Sequence, residues 1–314
     1  MKKLIFAFFA CALVLAAQPA PAVVISIHQL VEHPSLDAAA KGFQDVITES
    51  GLQADFKVHN AQNNTAVSQQ IVSQIIGENP DLILAISTPS AQQVANKIKD
   101  VPILFTAVTD PVAAQLIESM EKPGGNVTGT SDISPLADQV TLIKEIQPGI
   151  KSLGVIYNRG EVNSVVQVEA VAKACEELGL SLVQAITPNN AGVYQAAQSL
   201  VGKVEAIFLP TDNTVISSYE SVLRVTTTHK IPLYPAEADS LAKGGSASLS
   251  LDYYELGRQT GRMALKILND GVKPADLPAE TQQDFKLVIN DAFVTAIGQT
   301  IPQTVLERAQ EVIK

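Results

Sequence analysis

Short, continuously apolar runs alternate with longer amphipathic ones along almost the whole chain. This constrains the fold more than any other feature. Leu82-Ile83-Leu84-Ala85-Ile86 has five apolar residues with no polar alternation, the pattern of a strand buried on both faces. Strands are expected at 23–27, 56–59, 82–86, 103–106, 153–157, 182–186, 206–209, 233–234 and 247–251. Helical patterns fall between them at 36–50, 66–76, 91–99, 112–120, 135–146, 165–178, 193–201, 215–228 and 254–269, and a last amphipathic helix is expected from Pro302 to the C-terminus. Such alternation implies an α/β fold with parallel sheets covered on both faces.

The pattern also runs twice. Gly51-Leu52 opens a strand, Asn63-Asn64 precedes a helix, 82–86 is a strand, and Pro102-Ile103-Leu104 begins another. Gly179-Leu180, Asn189-Asn190, 206–209 and Pro232-Leu233-Tyr234 repeat that order at similar spacing. Two similar, doubly wound α/β lobes are therefore expected. Pro123-Gly124-Gly125-Asn126 and Thr128-Gly129-Thr130-Ser131 read as the crossover between them.

The first 22 residues stand apart. Met1-Lys2-Lys3 is basic, 4–17 is apolar, and Ala20-x-Ala22 fits a signal-peptidase site, so a secretory signal cleaved after Ala22 is expected. The apolar run is shorter than the ~20 residues of a spanning helix. Cys11 lies inside it, behind Phe8-Phe9-Ala10, a poor match to a lipidation site. Cleavage leaves 292 residues, enough for two domains. It takes the net charge from −10 to −12, which argues against nucleic acid or anionic lipid as partner. Cys175 is then the single cysteine, so no internal disulfide is expected, and its helical setting reads as a buried thiol.

In open parallel sheets ligands sit at the carboxyl ends of strands. After 82–86 comes Ser87-Thr88-Pro89-Ser90, with Thr88 expected as helix cap and Pro89 in the first turn. After 103–106 comes Thr109-Asp110-Pro111, with Asp110 as cap. Two helix N-termini with the hydroxyls of Ser87, Thr88, Ser90 and Thr109 would favour an anion. The second half supplies Asp212 and Asn213 after 206–209, Glu237 after Tyr234, and Asp252 after Leu251. Anion donors in one lobe and a carboxylate in the other fit a zwitterion such as a free amino acid. His28 and His33 lie five apart around Glu32; shaping a cleft fits them better than binding metal. There is no G-x-S-x-G, H-E-x-x-H, Walker loop or C-x-x-C, so no enzymatic chemistry and no cofactor are expected.

Longer strings add to this. Val31-Glu32-His33-Pro34-Ser35-Leu36-Asp37-Ala38, Phe105-Thr106-Ala107-Val108-Thr109-Asp110-Pro111, Gly124-Gly125-Asn126-Val127-Thr128-Gly129-Thr130-Ser131-Asp132, Gly154-Val155-Ile156-Tyr157-Asn158 with Glu161 and Asn163-Ser164, Leu209-Pro210-Thr211-Asp212-Asn213-Thr214, and Asp252-Tyr253-Tyr254-Glu255-Leu256-Gly257 follow in order. With these, the chain from residue 23 to 314 resembles the substrate-binding proteins of ABC transporters, in particular the tryptophan- and tyrosine-type binders. The resemblance implies a type I periplasmic-binding-protein fold, two lobes joined at a hinge: 23–132 with 253–279, and 133–252 with 280–314. It implies a monomer that delivers a small amino-acid-like ligand to a membrane permease. The ligand carboxylate would meet Ser87, Thr88, Ser90 and Thr109. Its ammonium would meet Asp212 first, with Asp252 or Glu237 in reserve, and Tyr157, Glu32 and His28 complete the candidate set. The chain has no Trp, so stacking on an aromatic ligand must come from Tyr, Phe or His. A sensing component, or an importer component for a nucleoside or sugar, is the alternative.

Overall fold

The computed structural model describes residues 22–314, so all but the last residue of the expected signal segment lies outside the described residues. The first half of the chain builds β1 (Val23–Gln29), α1 (Pro34–Glu49), β2 (Ala54–Asn60), α2 (Thr65–Glu78), β3 (Leu82–Ile86), α3 (Thr88–Lys97), β4 (Ile103–Thr106) and β5 (Val127–Ser131). The chain then crosses over and forms α4 (Leu136–Ile146), β6 (Ser152–Tyr157), α5 (Val162–Glu177), β7 (Ser181–Ile186), α6 (Val193–Leu200), β8 (Ala206–Leu209), α7 (Asn213–Ile216), α8 (Tyr219–His229), β9 (Leu233–Pro235) and β10 (Ala247–Ser250). It returns as α9 (Tyr253–Leu268) and β11 (Glu280–Thr281), and ends with β12 (Lys286–Asn290), α10 (Asp291–Ile297), α11 (Gln303–Leu306) and β13 (Glu311–Ile313).

The sheets show the two lobes. The first has the order β11-β5-β4-β3-β1-β2, all parallel. The second has the order β7-β6-β8-β9, also parallel. A third, smaller sheet, β10-β12-β13, pairs β10 antiparallel to β12. In each large sheet the order reverses beside the first strand, between β1 and β3 and between β6 and β8. That places a crevice at the carboxyl ends of those strands.

Strand period 2 explains why β3 is apolar throughout. Leu82, Leu84 and Ile86 pack with Phe43 and Ile47 of α1 and Leu256 and Met263 of α9. Ile83 and Ala85 pack on the other face with Ile71 and Ile75 of α2 and Ala91 and Val94 of α3. The second lobe repeats the arrangement: Leu153, Val155 and Tyr157 face α4 and α5, and Ile156 faces α6 and α8. Cys175 is buried there as a free thiol, and burial pushes its pKa up to about 11.

Several expected elements differ. Residues 112–115 form a turn, with Gln115 at φ 59°, and 116–120 have no regular structure; buried Ala114 and Ile117 mimic helical spacing without a continuous helix. The 215–228 pattern breaks into α7 and α8 at Ser217-Ser218. The expected C-terminal helix stops at Leu306, because Glu311–Ile313 pairs parallel to β12. Residues 127–131, expected as crossover, are strand β5 within the first sheet. A Cβ on Gly129 would lie 2.0 Å from the Phe105 carbonyl oxygen, so the register demands glycine where an apolar strand signal would otherwise stand. Among the described residues no helix is long and apolar enough to cross a membrane.

Candidate ligand site between the lobes

The two lobes meet across a seam that holds a small cavity of about 20 Å³. The first lobe and the crossing segments contribute His33 and Leu36 at the start of α1, Ala107 and Thr109 after β4, Asp132 after β5, and Tyr253 at the start of α9. The second contributes Asn163 at the start of α5, Thr211, Asn213 and Ile216 after β8, and Glu237 after β9. Most of these residues follow the carboxyl end of a strand, where doubly wound sheets place ligands.

Two carboxylates face this space. Asp132 accepts from Thr109 Oγ1 at 3.0 Å and from the Tyr253 hydroxyl at 2.7 Å, and burial raises its pKa. Glu237 Oε2 accepts from Ser35 Oγ across the seam at 2.8 Å and from the Ser240 N–H at 3.0 Å. Its Oε1 is buried with no hydrogen-bond partner among the described residues. Burial, with Asp239 nearby, pushes the Glu237 pKa up to about 7. Asn163 Oδ1 and His33 Nδ1 are likewise buried and unpartnered. Burial lowers the His33 pKa to about 4, so the imidazole is neutral at physiological pH. A buried unmatched acceptor is costly. Glu237 Oε1 and Asn163 Oδ1 together therefore form an acceptor pole suited to a cationic donor.

A second group of unmatched atoms lies at the start of α3. The hydroxyls of Ser87, Thr88 and Ser90 are all buried without hydrogen-bond partners among the described residues. The helix begins at Thr88, so Ser87 rather than Thr88 holds the cap position, and its side chain makes no cap bond. Ser87 adopts φ 84° and Ala107 φ 54°, both unusual for residues with a Cβ, at the ends of the adjacent strands β3 and β4. Three hydroxyl donors at the positive end of a ten-residue helix form a donor pole.

The other expected residues are placed elsewhere. Asp212 was expected to meet an ammonium, but its oxygens are taken by protein donors: the Asn158 N–H at 2.6 Å, Ser164 Oγ at 2.7 Å and the Val215 N–H at 2.8 Å. Burial and neighbouring Glu161 push its pKa up, and those three donors pull it back. Glu161 receives the N–H groups of Asn213 and Thr214 at 3.0 Å each, so the two acids together hold the start of α7. Asn213 does reach the enclosed space. Asp252 caps α9 through the Glu255 N–H at 3.1 Å and pairs with Lys286 at 3.0 Å, bracing two crossing segments. Asp110 caps a turn through the N–H groups of Val112 and Ala113. Tyr157 donates to Gln184 inside the second lobe. His28 is buried against Ser68 at 2.8 Å, and Glu32 is exposed. Among the described residues no group of three or more His, Cys, Asp or Glu side chains could hold a metal ion.

Sequence reasoning assigned no role to Asp132, Asn163, Thr211 or Tyr253. Asp132 was hidden because β5 carries no apolar signal. The others sit one to three residues beyond a strand or at a helix start, and that position was the available signal.

The lobes also bond directly to each other, through Ser35 to Glu237, Asn63 to Asn190 at 2.6 Å, and Thr109 to Thr211 at 3.5 Å. A tyrosine-binding protein of Clostridioides difficile is 41% identical over 279 residues, 87% of this chain and 80% of that protein. The structure of an ABC domain in complex with L-Trp from Streptococcus pneumoniae is 36% identical, covers 93% of this chain and 100% of that one, and gives a TM-score of 0.90. The ligand-free, open structure of a substrate-binding protein with adhesive properties from Clostridium difficile is 41% identical, covers 93% and 99%, and gives 0.69. The better superposition on the complexed protein accords with lobes that touch. A family model described as ABC transporter substrate binding protein matches residues 24–313, and the chain belongs to that family of extracytoplasmic substrate-binding proteins.

Proposed function

We propose that this protein captures an aromatic L-amino acid, tyrosine or tryptophan, and hands it to the permease of an ABC importer. The observation that carries this is the unmatched Glu237 Oε1 and Asn163 Oδ1 lining the space between the lobes, with the unmatched Ser87, Thr88 and Ser90 hydroxyls at the end of β3, the neighbour of the strand β4 whose following residues Ala107 and Thr109 line that space. The hydroxyls of Ser87, Thr88 and Ser90 would receive the carboxylate, helped by the α3 dipole. Glu237 Oε1 and Asn163 Oδ1 would receive the ammonium. This moves the cationic role from Asp212 to Glu237, the reserve candidate. Tyr253, His33, Leu36 and Ile216 offer ring and apolar surface for a side chain. The tyrosine-binding relative and the L-Trp complex support the aromatic choice. The reading includes export with cleavage after Ala22, a monomeric protein and no catalysis. The first lobe would comprise 23–132 with 253–281, because Glu280 and Thr281 pair with β5.

Thermal-shift titration of residues 23–314 with L-tyrosine, L-tryptophan, L-leucine, uridine and glucose tests it. A ligand at a thousandfold excess over Kd stabilises by about 4 kcal/mol. Stabilisation by L-tyrosine or L-tryptophan is expected. A response only to uridine or glucose would reject the amino-acid reading and leave the family assignment standing.

A further inference from the structure

The duplicated Asn-Asn pairs of the two lobes meet each other. Asn63-Asn64 follows β2 and Asn189-Asn190 follows β7. In each pair one residue is local. Asn64 caps α2 by accepting from the N–H groups of Ala66 and Val67, and Asn189 caps the turn at 190–192 through the Gly192 N–H. The other residue reaches across the seam. Asn63 Nδ2 donates to Asn190 Oδ1 at 2.6 Å and to Thr214 Oγ1 at 3.3 Å.

We propose that Asn63 and Asn190 form a clasp that holds the lobes shut over the ligand and sets how long it stays. Both ends are pre-set. Asn63 sits at φ 55°, a left-handed conformation that Asn tolerates, and its N–H donates to the Leu30 carbonyl at 2.8 Å. Asn190 Nδ2 donates to Ser217 Oγ at 2.7 Å and Ser218 Oγ at 2.8 Å, which turns its Oδ1 towards the partner lobe. The Thr214 hydroxyl donates to Glu161 at 2.8 Å, so only its lone pairs are left for Asn63. Position supplies the leverage. The crossing segments leave from β5 and β10, whereas β2 and β7 are edge strands on the far side of each large sheet. A hydrogen bond placed far from the hinge is broken early in an opening rotation, and it costs the incoming ligand nothing, since entry uses the open form.

Asn63 and Asn190 are therefore positioning residues. The proposal rests on the two-lobed family fold and on capture between the lobes. L-tyrosine, with L-tryptophan as alternative, is the kinetic probe. Asn63→Ala should raise koff about three- to tenfold, the worth of one net hydrogen bond. Its kon should stay within about twofold, because encounter rates vary less than escape among variants of one site. Alanine is strained at φ 55°, so Asn63→Gly, which keeps that backbone conformation, is the companion variant, and its koff should rise as far as that of Asn63→Ala. Asn190→Ala should give a rise no larger than Asn63→Ala, which also loses the bond to Thr214, and the double variant should not exceed Asn63→Ala. A second arm needs no ligand. With Asn63→Cys and Asn190→Cys in one chain, a short bismaleimide should link the lobes, and buried Cys175 does not compete. Failure of both amino acids to bind wild type would reject the ligand reading, and the cross-link would still decide the clasp. An unchanged koff in Asn63→Ala, or no cross-link, overturns the proposal.

Discussion

Glu237→Gln should make the empty protein more stable and the binding protein worse. Glu237 is buried, and its pKa lies at about 7 instead of 4.5. Between those values the native state keeps a proton that the unfolded chain releases. Stability contributed by this group is therefore full below pH 4.5 and is lost as pH rises towards 7. The gap between 4.5 and about 7 corresponds to about 3 kcal/mol at about 1.4 kcal/mol per pH unit, a stability that is fully lost above pH 7. Glutamine carries no charge to desolvate and still accepts from Ser35 and the Ser240 N–H. At pH 8 the ligand-free variant should melt about 5 °C or more above wild type, and at pH 4.5 the two should coincide. Binding should move the other way. Truncating a buried charge pair costs about 2–5 kcal/mol, so Kd for L-tyrosine should rise about 30-fold or more. Wild-type Kd should fall with rising pH, by up to tenfold per unit between pH 5 and 7, and then level off. The variant should lack that slope. His33, neutral above a pKa of about 4, does not titrate in this window. Asp132 is also raised and faces the same space, and the variant separates its share. Calorimetry across pH decides the matter: equal Kd for wild type and Glu237→Gln at pH 8 would remove Glu237 from the ammonium pole.

Three further outcomes are expected. L-Tyrosinamide should bind at least tenfold more weakly than L-tyrosine in a direct titration, because its NH2 faces the donor pole of Ser87, Thr88 and Ser90; equal affinities would dissolve that pole. Asp212→Asn sets an NH2 either against the Asn158 N–H and Ser164 Oγ or, flipped, against the Val215 N–H, so denaturant unfolding should show a loss of about 1–3 kcal/mol, while the affinity of the folded protein changes less than in Glu237→Gln. Gly257→Ala places a Cβ 1.9 Å from the Ala39 carbonyl oxygen and must prise α9 from α1, costing about 1–3 kcal/mol in thermal denaturation; an unmoved melting temperature would show that the helices separate freely.

What the sequence revealed and what it concealed follow from how each feature is encoded. Strands such as β3, β4 and β8 are buried on both faces, and burial writes itself as a continuous apolar run. The segment that ends at Asp132 is strand by pairing, yet Gly129 and three hydroxyl residues are what its neighbours require, so no apolar signal marks it. The C-terminal residues 311–313 are strand only because β12 offers an open edge, a tertiary fact with no local trace. The site divides along the same line. The helix start at Ser87, Thr88 and Ser90 was legible because a Ser/Thr-Pro sequence after a buried strand commonly opens a helix. The carboxylate was harder to place. Asp212, Glu237 and Asp252 all follow strands, and residue type and position cannot tell which oxygens are already taken. Asp212 is consumed by three protein donors and Asp252 by a lysine and a cap, whereas Glu237 keeps one oxygen unmatched. A binding carboxylate differs from a structural one by the hydrogen bond it does not make, and that is visible only once every donor around it has been placed.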